Sequence, residues 1–333
     1  MSRVAHAVRL VAEAPGDGAD GPPGAALAAA LRAGGLLEVE LSTLDLFEAL
    51  TGIGAASLSA GRIFEGHVNA RKLLDLYGSP RPGLGGIWGA DGPDPVRVDG
   101  DRLAGQKLFA SGADVLDHVL VSARREEGLQ LFLIDRRRLA GRLFPGEWHV
   151  AGMKATASGR CDLDGLPLAD AEAVGGPGDY LREPHFQGGV WRYGAVQLGA
   201  MRRLTAITAA QLRRRGHEAA PLQAMRLRRM VTACETARLW LWQAAETVEA
   251  PGAGPEAAEA SILARLVTAE AAVEVLNRMD EALGASSFAT GHPAERIRRD
   301  LGFYIRQANP DQLALDAMAR IMADPDRAAR WIG

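Results

Sequence analysis

The stretch RDLGFYIRQANPDQ, residues 299–312, lies inside the last of four long blocks that share a helical spacing of apolar residues. The blocks cover 193–215, 222–249, 257–284 and 294–322, and all are rich in Ala, Leu, Arg and Glu. These residue types favour helices, and the apolar positions recur every three or four residues. Gly216 and Gly284 stand where helix ends are expected, and PGAGP at 251–255 separates two blocks. Long helices joined by short loops pack as an antiparallel bundle, so the spacing predicts a C-terminal four-helix bundle over 183–333.

Upstream, residues 83–182 have a different pattern. Glycine is frequent, and HVLVS at 118–122 and LFLI at 131–134 read as strands. Arg97-Val98 enters a hairpin turn at Asp99-Gly100-Asp101. No helical block separates the strands, which disfavours a βαβ sheet and predicts a small antiparallel β-barrel or sandwich. Residues 1–82 return to helical spacing. The Ala/Leu run 24–33 ends at Gly34-Gly35, and the block 42–77 is expected to break near Gly52-Ile53-Gly54. APGDGADGPP at 14–23 reads as a loop. The chain is therefore expected to be α+β and multidomain, in the order α, β, α.

Composition narrows the function classes. A chain of 333 residues, 47% hydrophobic, can bury a sizeable core, and a net charge of −3 gives no case for nucleic acid. No run reaches membrane-span length and the N-terminus has no long apolar h-region, so a cytoplasmic protein with no membrane partner is expected. Cys161 and Cys234 match no metal spacing and read as reduced thiols. The seven histidines form no HExxH or HxH pattern, so no metal is expected. GLGGIWG at 83–89 is followed by Pro93 and Pro95 rather than a helix, which argues against a dinucleotide fingerprint. Glu126-Glu127 beside Gly128 read as a solvated hairpin tip rather than a catalytic pair.

Several motifs in order carry a family resemblance. LAGQKLFASGA at 103–113 resembles the acyl-CoA dehydrogenase pattern in which G-x-K precedes W-[IV]-[TS], with Phe109 and Ser111 at the aromatic and hydroxyl positions. WHVAGMKATAS at 148–158 is similar to that family's G-M-[RK]-x-[ST]-x-[ST] strand. Leu166-Pro167, Val174-Gly175 and Gly178-Asp179-Tyr180 then follow in the family's order. Arg192 and Gly199 resemble the R-x-x-x-A-A-x-x-x-G helix start, with a two-residue discrepancy. EALGASSF at 281–288 stands where the family has Q-x-x-G-G-x-G-[FY]. Arg299-Asp300 match its R-D, and Gln312 a glutamine just past the catalytic position. The ordered resemblance covers about residues 40–325.

The resemblance implies an N-terminal helical domain over 1–82, a middle β domain over 83–182 and the bundle, with FAD between barrel and bundle. It implies a homodimer or homotetramer in which neighbouring subunits complete the cofactor site, and an acyl-CoA or related small molecule as substrate. Carried over by position, it places Trp88, Phe109, Ser111, Arg215, Gly284 and Gln312 at the cofactor and Arg192 at the substrate. A hydroxyl at Ser111 would donate to the isoalloxazine edge and stabilise negative charge on reduced flavin. Trp88 either stacks on the flavin or fills the barrel wall.

Four departures bear on activity. The N-terminal helical domain is short. The T-E-P-x-x-G-S-D loop is reduced to WGADGPDP at 88–95, and R-x-x-F-G becomes Arg215-Gly216-His217-Glu218-Ala219 without its aromatic. The catalytic glutamate falls on Ala308, and the alternative site near Arg192 holds no acid. Removing a proton α to a thioester carbonyl needs a positioned carboxylate, and Asp311 is the candidate substitute. The resemblance thus implies an FAD-dependent oxidoreductase with altered chemistry. A flavin monooxygenase, which needs no such base, and a degenerate acyl-CoA-binding homologue are the alternatives.

Overall fold

The computed structural model describes residues 2–16, 20–307 and 309–333. Four helices come first: α1 (Arg3–Ala12), α2 (Gly24–Ala33), α3 (Thr43–Ala56) and α4 (Leu58–Leu76). The spacing of 24–33 gave α2 its observed ends. The break in the 42–77 block falls at Ser57 rather than at the glycines, because Ser57 caps α4 by accepting the Ala60 N–H at 3.3 Å. Helix α1 lies in a segment read above without a helix. Its Ser2 cap and its buried Val4, Ala7 and Val11, on one face, were the available signal.

The middle segment holds β1 (Gly85–Trp88), β2 (Arg97–Asp99), β3 (Arg102–Ala104), β4 (Gln106–Lys107) and β5 (His118–Arg125). It continues with β6 (Gly128–Asp135), β7 (Leu143–Phe144), β8 (Arg160–Asp162), β9 (Leu166–Pro167) and β10 (Glu172–Val174). One sheet has the order β10-β6-β5-β2-β3-β9, with β1 also on β5, and a smaller antiparallel sheet runs β4-β8-β7. The β domain is present, but its sheet is mixed rather than antiparallel. Both β1 and β2 run parallel to β5, β1 against 118–121 and β2 at Arg124. They share one edge of β5 end to end, and the loop between them leaves the sheet beside Trp88. The Arg125–Gly128 pairing closes a two-residue hairpin at Glu126-Glu127, the solvated tip expected above.

The bundle contains α5 (Trp191–Arg214), α6 (Pro221–Val248) and α7 (Ala257–Leu283). The fourth block is divided into α8 (Glu295–Tyr304) and α9 (Pro310–Met322), followed by α10 (Pro325–Ile332). Asn309 explains the division. It takes a left-handed conformation and accepts the Gln312 N–H, with Pro310 at the first helical position.

Helix α5 packs against α3, α6 and α7 and is buried on several sides. Its approach to α3 is backbone to backbone. A Cβ at Gly199 would lie 2.0 Å from the Thr51 carbonyl oxygen, and one at Gly54 would lie 2.2 Å from that of Val196. We expect Gly199→Ala to lower unfolding free energy by about 2–3 kcal/mol, because no side chain can rotate away from the added methyl. Urea denaturation checks this, and a loss below about 0.5 kcal/mol would contradict the packing argument.

The strands are joined to the bundle by the Arg299-Asp300 pair. Asp300 Oδ1 accepts the Met153 N–H at 2.6 Å, and Arg299 Nη1 donates to the Ala151 carbonyl at 2.8 Å. A Cβ on Gly152 would stand 2.5 Å from the Arg299 carbonyl oxygen. Among the described residues, no helix is long and apolar enough to cross a membrane.

Candidate functional site

A cavity of about 630 Å³ opens where α4, the end of β1, the start of α5 and the α8–α9 linker meet. That volume suits a small organic ligand. Trp88, Phe109, Tyr180, Phe186, Phe303 and Tyr304 give it aromatic walls. Trp88 is 2% exposed and its Nε1 donates to the Ser111 carbonyl at 3.1 Å. It is therefore a wall residue that also ties the 109–111 segment in place. Phe109 is 53% exposed and has φ 54°, a conformation that costs a bulky residue roughly 1–3 kcal/mol. Its ring meets Trp148 edge-on at 6.0 Å, and Trp148 in turn meets Phe303 at 5.7 Å.

Beside this aromatic row runs a chain of hydroxyls. Thr156 Oγ1 donates to the Met153 carbonyl at 2.7 Å. Ser158 Oγ lies 2.7 Å from Thr156 Oγ1 and 3.0 Å from Ser111 Oγ. Thr156 gives its proton to Met153 and Ser158 gives its own to Thr156, so Ser158 Oγ at 3.0 Å can accept the Ser111 proton more closely than the Phe109 carbonyl at 3.4 Å, and Ser111 ends the chain as its donor.

The opposite wall is polar. On α4, Arg62, Glu65 and Asn69 lie on one face by their spacing, and all line the cavity. Glu65 is 1% exposed; Arg62 Nη1 donates to one of its carboxylate oxygens and Asn69 Nδ2 to the other. Asn69 Oδ1 then accepts from Arg192 Nη1 at 2.7 Å. Arg192 Nε and Nη2 donate to Glu249 Oε1 at 3.1 and 2.6 Å, and Lys72 reaches Glu249 Oε2 at 2.6 Å. The result is a continuous chain of alternating charges and amides, Arg62–Glu65–Asn69–Arg192–Glu249–Lys72. Burial pushes the Glu249 carboxyl up, but Arg192 and Lys72 outweigh it and hold the group at about 2.

The expected site residues thus fall into two groups. Trp88 and Phe109 line the cavity and Ser111 lies directly behind them. Arg192 borders a second, adjoining space of about 560 Å³ and reaches the first only through Asn69. Arg215 caps the far end of α5, about 33 Å along the helix from Tyr193 at about 1.5 Å per residue. Gln211, one turn earlier, donates to Ser286 Oγ at 3.3 Å, which brings Gly284 to that same distant end. Gln312 is exposed on α9 and donates to Asp316 Oδ1 at 2.8 Å. Asp311 is exposed in the first turn of α9 and does not line the cavity. Ala308 lies outside the described residues. Sequence reasoning missed Glu65 and its partners, although a polar stripe at Arg62, Glu65 and Asn69 in a helix otherwise largely buried was a readable signal.

Residues 184–309 match the family model described as acyl-CoA dehydrogenase, C-terminal domain. The whole fold is similar to that of the FMN-bound dibenzothiophene monooxygenase TdsC from Paenibacillus sp. A11-2, at 19% identity and a TM-score of 0.78, covering 95% of this chain and 96% of that one. It is also similar to the 3-HSA hydroxylase from Rhodococcus sp. RHA1, at 15% identity and a TM-score of 0.76, covering 97% and 96%. A nitroalkane oxidase active-site mutant crystallised with 1-nitrooctane aligns at 17% identity with a TM-score of 0.77, covering 98% and 95%. No curated protein sequence matches the chain.

Proposed function

We propose that this chain, with an acyl-CoA dehydrogenase C-terminal domain over 184–309 and an acyl-CoA dehydrogenase-like fold throughout, is a flavin-dependent oxidoreductase of the monooxygenase type. The reading rests chiefly on one observation. Trp88 and Phe109, with Ser111 behind them, wall an aromatic cavity whose one lining carboxylate among the described residues, Glu65, is already ion-paired. Flat aromatic walls beside a chain of hydroxyls fit an isoalloxazine ring. FAD is the form we infer, with Arg215 and Gly284 reaching the cofactor of a second copy in a homo-oligomer, since one chain holds them about 33 Å away.

A bound flavin supplies a two-electron carrier that, once reduced, reacts with dioxygen. The chain's own residues do the rest. Trp88 and Phe109 would wall the ring, and Ser111 Oγ, turning from Ser158, would donate where negative charge develops. Glu65 has both oxygens occupied by donors, so it serves charge balance and not proton abstraction. That is why we place oxygen chemistry above α,β-dehydrogenation of an acyl-CoA, and why the substrate is inferred to be a compact small molecule.

The purified protein should be yellow, with flavin released by acid and identified by mass as FAD or FMN. Anaerobic mixing with acyl-CoA thioesters should leave the visible bands unbleached. Phe109→Ala should weaken flavin binding about tenfold by removing an aromatic contact of roughly 1–1.5 kcal/mol, read by fluorescence titration. A colourless protein that takes up no added flavin would overturn the proposal and favour the degenerate homologue. Bleaching by a thioester would restore the dehydrogenase reading.

A further inference from the structure

Two tyrosine hydroxyls in the cavity have no acceptor for their protons in the protein. Tyr304 is 1% exposed and Tyr193 half-buried, their rings lie 6.3 Å apart, and beside the Tyr193 hydroxyl stands the Arg265 guanidinium, itself a donor. A buried hydroxyl left without a partner costs about 1–3 kcal/mol, so such groups are completed by ordered water or a bound ligand. Burial pushes the pKa of both phenols above its ordinary value, which keeps them neutral and able to donate.

The charges around them favour an anion. Arg62 and Glu65 cancel one another. Arg265 on α7 is fully buried, and its contacts are carbonyls and a ring, not a carboxylate. Its Nη2 donates to Ile305 and Gln307 at 2.7 and 3.3 Å, and its guanidinium lies 5.1 Å from the centre of the Tyr193 ring. Nε and Nη1 of Arg265 are buried and face no carbonyl or carboxylate, only the Tyr193 phenol. One positive charge therefore stands uncompensated behind the two hydroxyls, in a setting where water cannot screen it.

We infer that Tyr193 and Tyr304, backed by Arg265, bind an anionic oxygen of the substrate. The substrate class is then a compact organic acid carried as its conjugate base, with its apolar body against the aromatic walls. This rests on reading the cavity as the substrate site. Two donors converging on one oxygen give the orientation, and the buried cation selects charge over a neutral isostere.

Isothermal titration of the purified protein with carboxylate and amide pairs, benzoate with benzamide and butyrate with butyramide, tests the inference. At least one carboxylate should bind tenfold or more tighter than its amide. Tyr193→Phe and Tyr304→Phe, substitutions that keep the ring packing, should each reduce that carboxylate's affinity about tenfold and narrow the gap. Equal affinity within each pair, no binding of any member, or full carboxylate preference in both variants would overturn it. Flavin content is read separately by absorbance. A colourless protein that still prefers the carboxylate defeats the flavin reading and leaves the anion site standing. A yellow protein indifferent to charge does the reverse. Loss of flavin in Tyr304→Phe with carboxylate preference intact would assign the hydroxyl to the cofactor, and the inference would fall.

Discussion

Glu249→Gln should lower unfolding free energy near neutral pH by about 3–5 kcal/mol, the range for removing one member of a buried ion pair. The side chains of Arg192 and Glu249 are 6% and 8% exposed, so the substitution leaves a guanidinium deprived of its counter-charge and out of reach of water. The amide keeps the shape and one acceptor, which isolates charge from packing. The effect has a pH signature with a definite sign. Glu249 titrates at about 2 in the fold against an ordinary value of 4.5. A depressed carboxyl contributes stability above its unfolded value and loses it as pH falls through the folded one. Roughly 2.5 units correspond to about 3 kcal/mol, present in full above pH 5 and gone near pH 2. Urea unfolding of parent and variant from pH 7 down to 2.5 should show the difference between them shrinking over the acid part of that range. A gap that stays constant with pH would mean that packing, not charge, holds this joint.

The second large effect is at the other end of the same chain of charges. Glu65→Gln should cost about 3–5 kcal/mol by leaving Arg62 in the cavity wall without its carboxylate. Replacing both, Arg62→Met with Glu65→Leu, should recover most of that loss, because apolar residues of similar volume avoid the cost of burying charge. Parent, Arg62→Met, Glu65→Leu and their double variant form a double-mutant cycle, and we expect a coupling of about 2–3 kcal/mol. Additive losses would show that the pair does not act as a unit. The double variant also changes the cavity from polar to apolar on one wall, so its fold can be intact while its ligand selectivity is not.

How far the sequence carried these conclusions can be judged residue by residue. The paired strands around HVLVS and LFLI, the hairpin at Gly100 and the limits of α5, α6 and α7 to within two residues follow from periodicity and turn chemistry, which are local. The parallel pairing of β1 with β5 was not legible, since direction between strands far apart in sequence is set by the loops between them. Gly52 and Gly54 were read as helix breakers. A Cβ at Gly54 would meet α5 backbone, a contact visible only after folding. The division of the last long helix had a signal that went unread, Asn309 before Pro310. At the site, the motif residues Trp88, Phe109 and Ser111 were identified by resemblance. Glu65, Tyr193, Tyr304 and Arg265 were not, because four separate helices bring them together and no short pattern records it.

The seam between strands and bundle at Asp300, Met153 and Gly152 has a consequence for how ligands come and go. Backbone there meets backbone with no room for a methyl group, and two hydrogen bonds cross the contact, so hinging strands away from bundle would break both. Recognition is then lock-like, with shape fixed before arrival and little reorganisation to offset on binding. At the rim Phe109 stands half out in solvent, the most exposed of the aromatic walls, so its ring is the one that can turn without disturbing that joint.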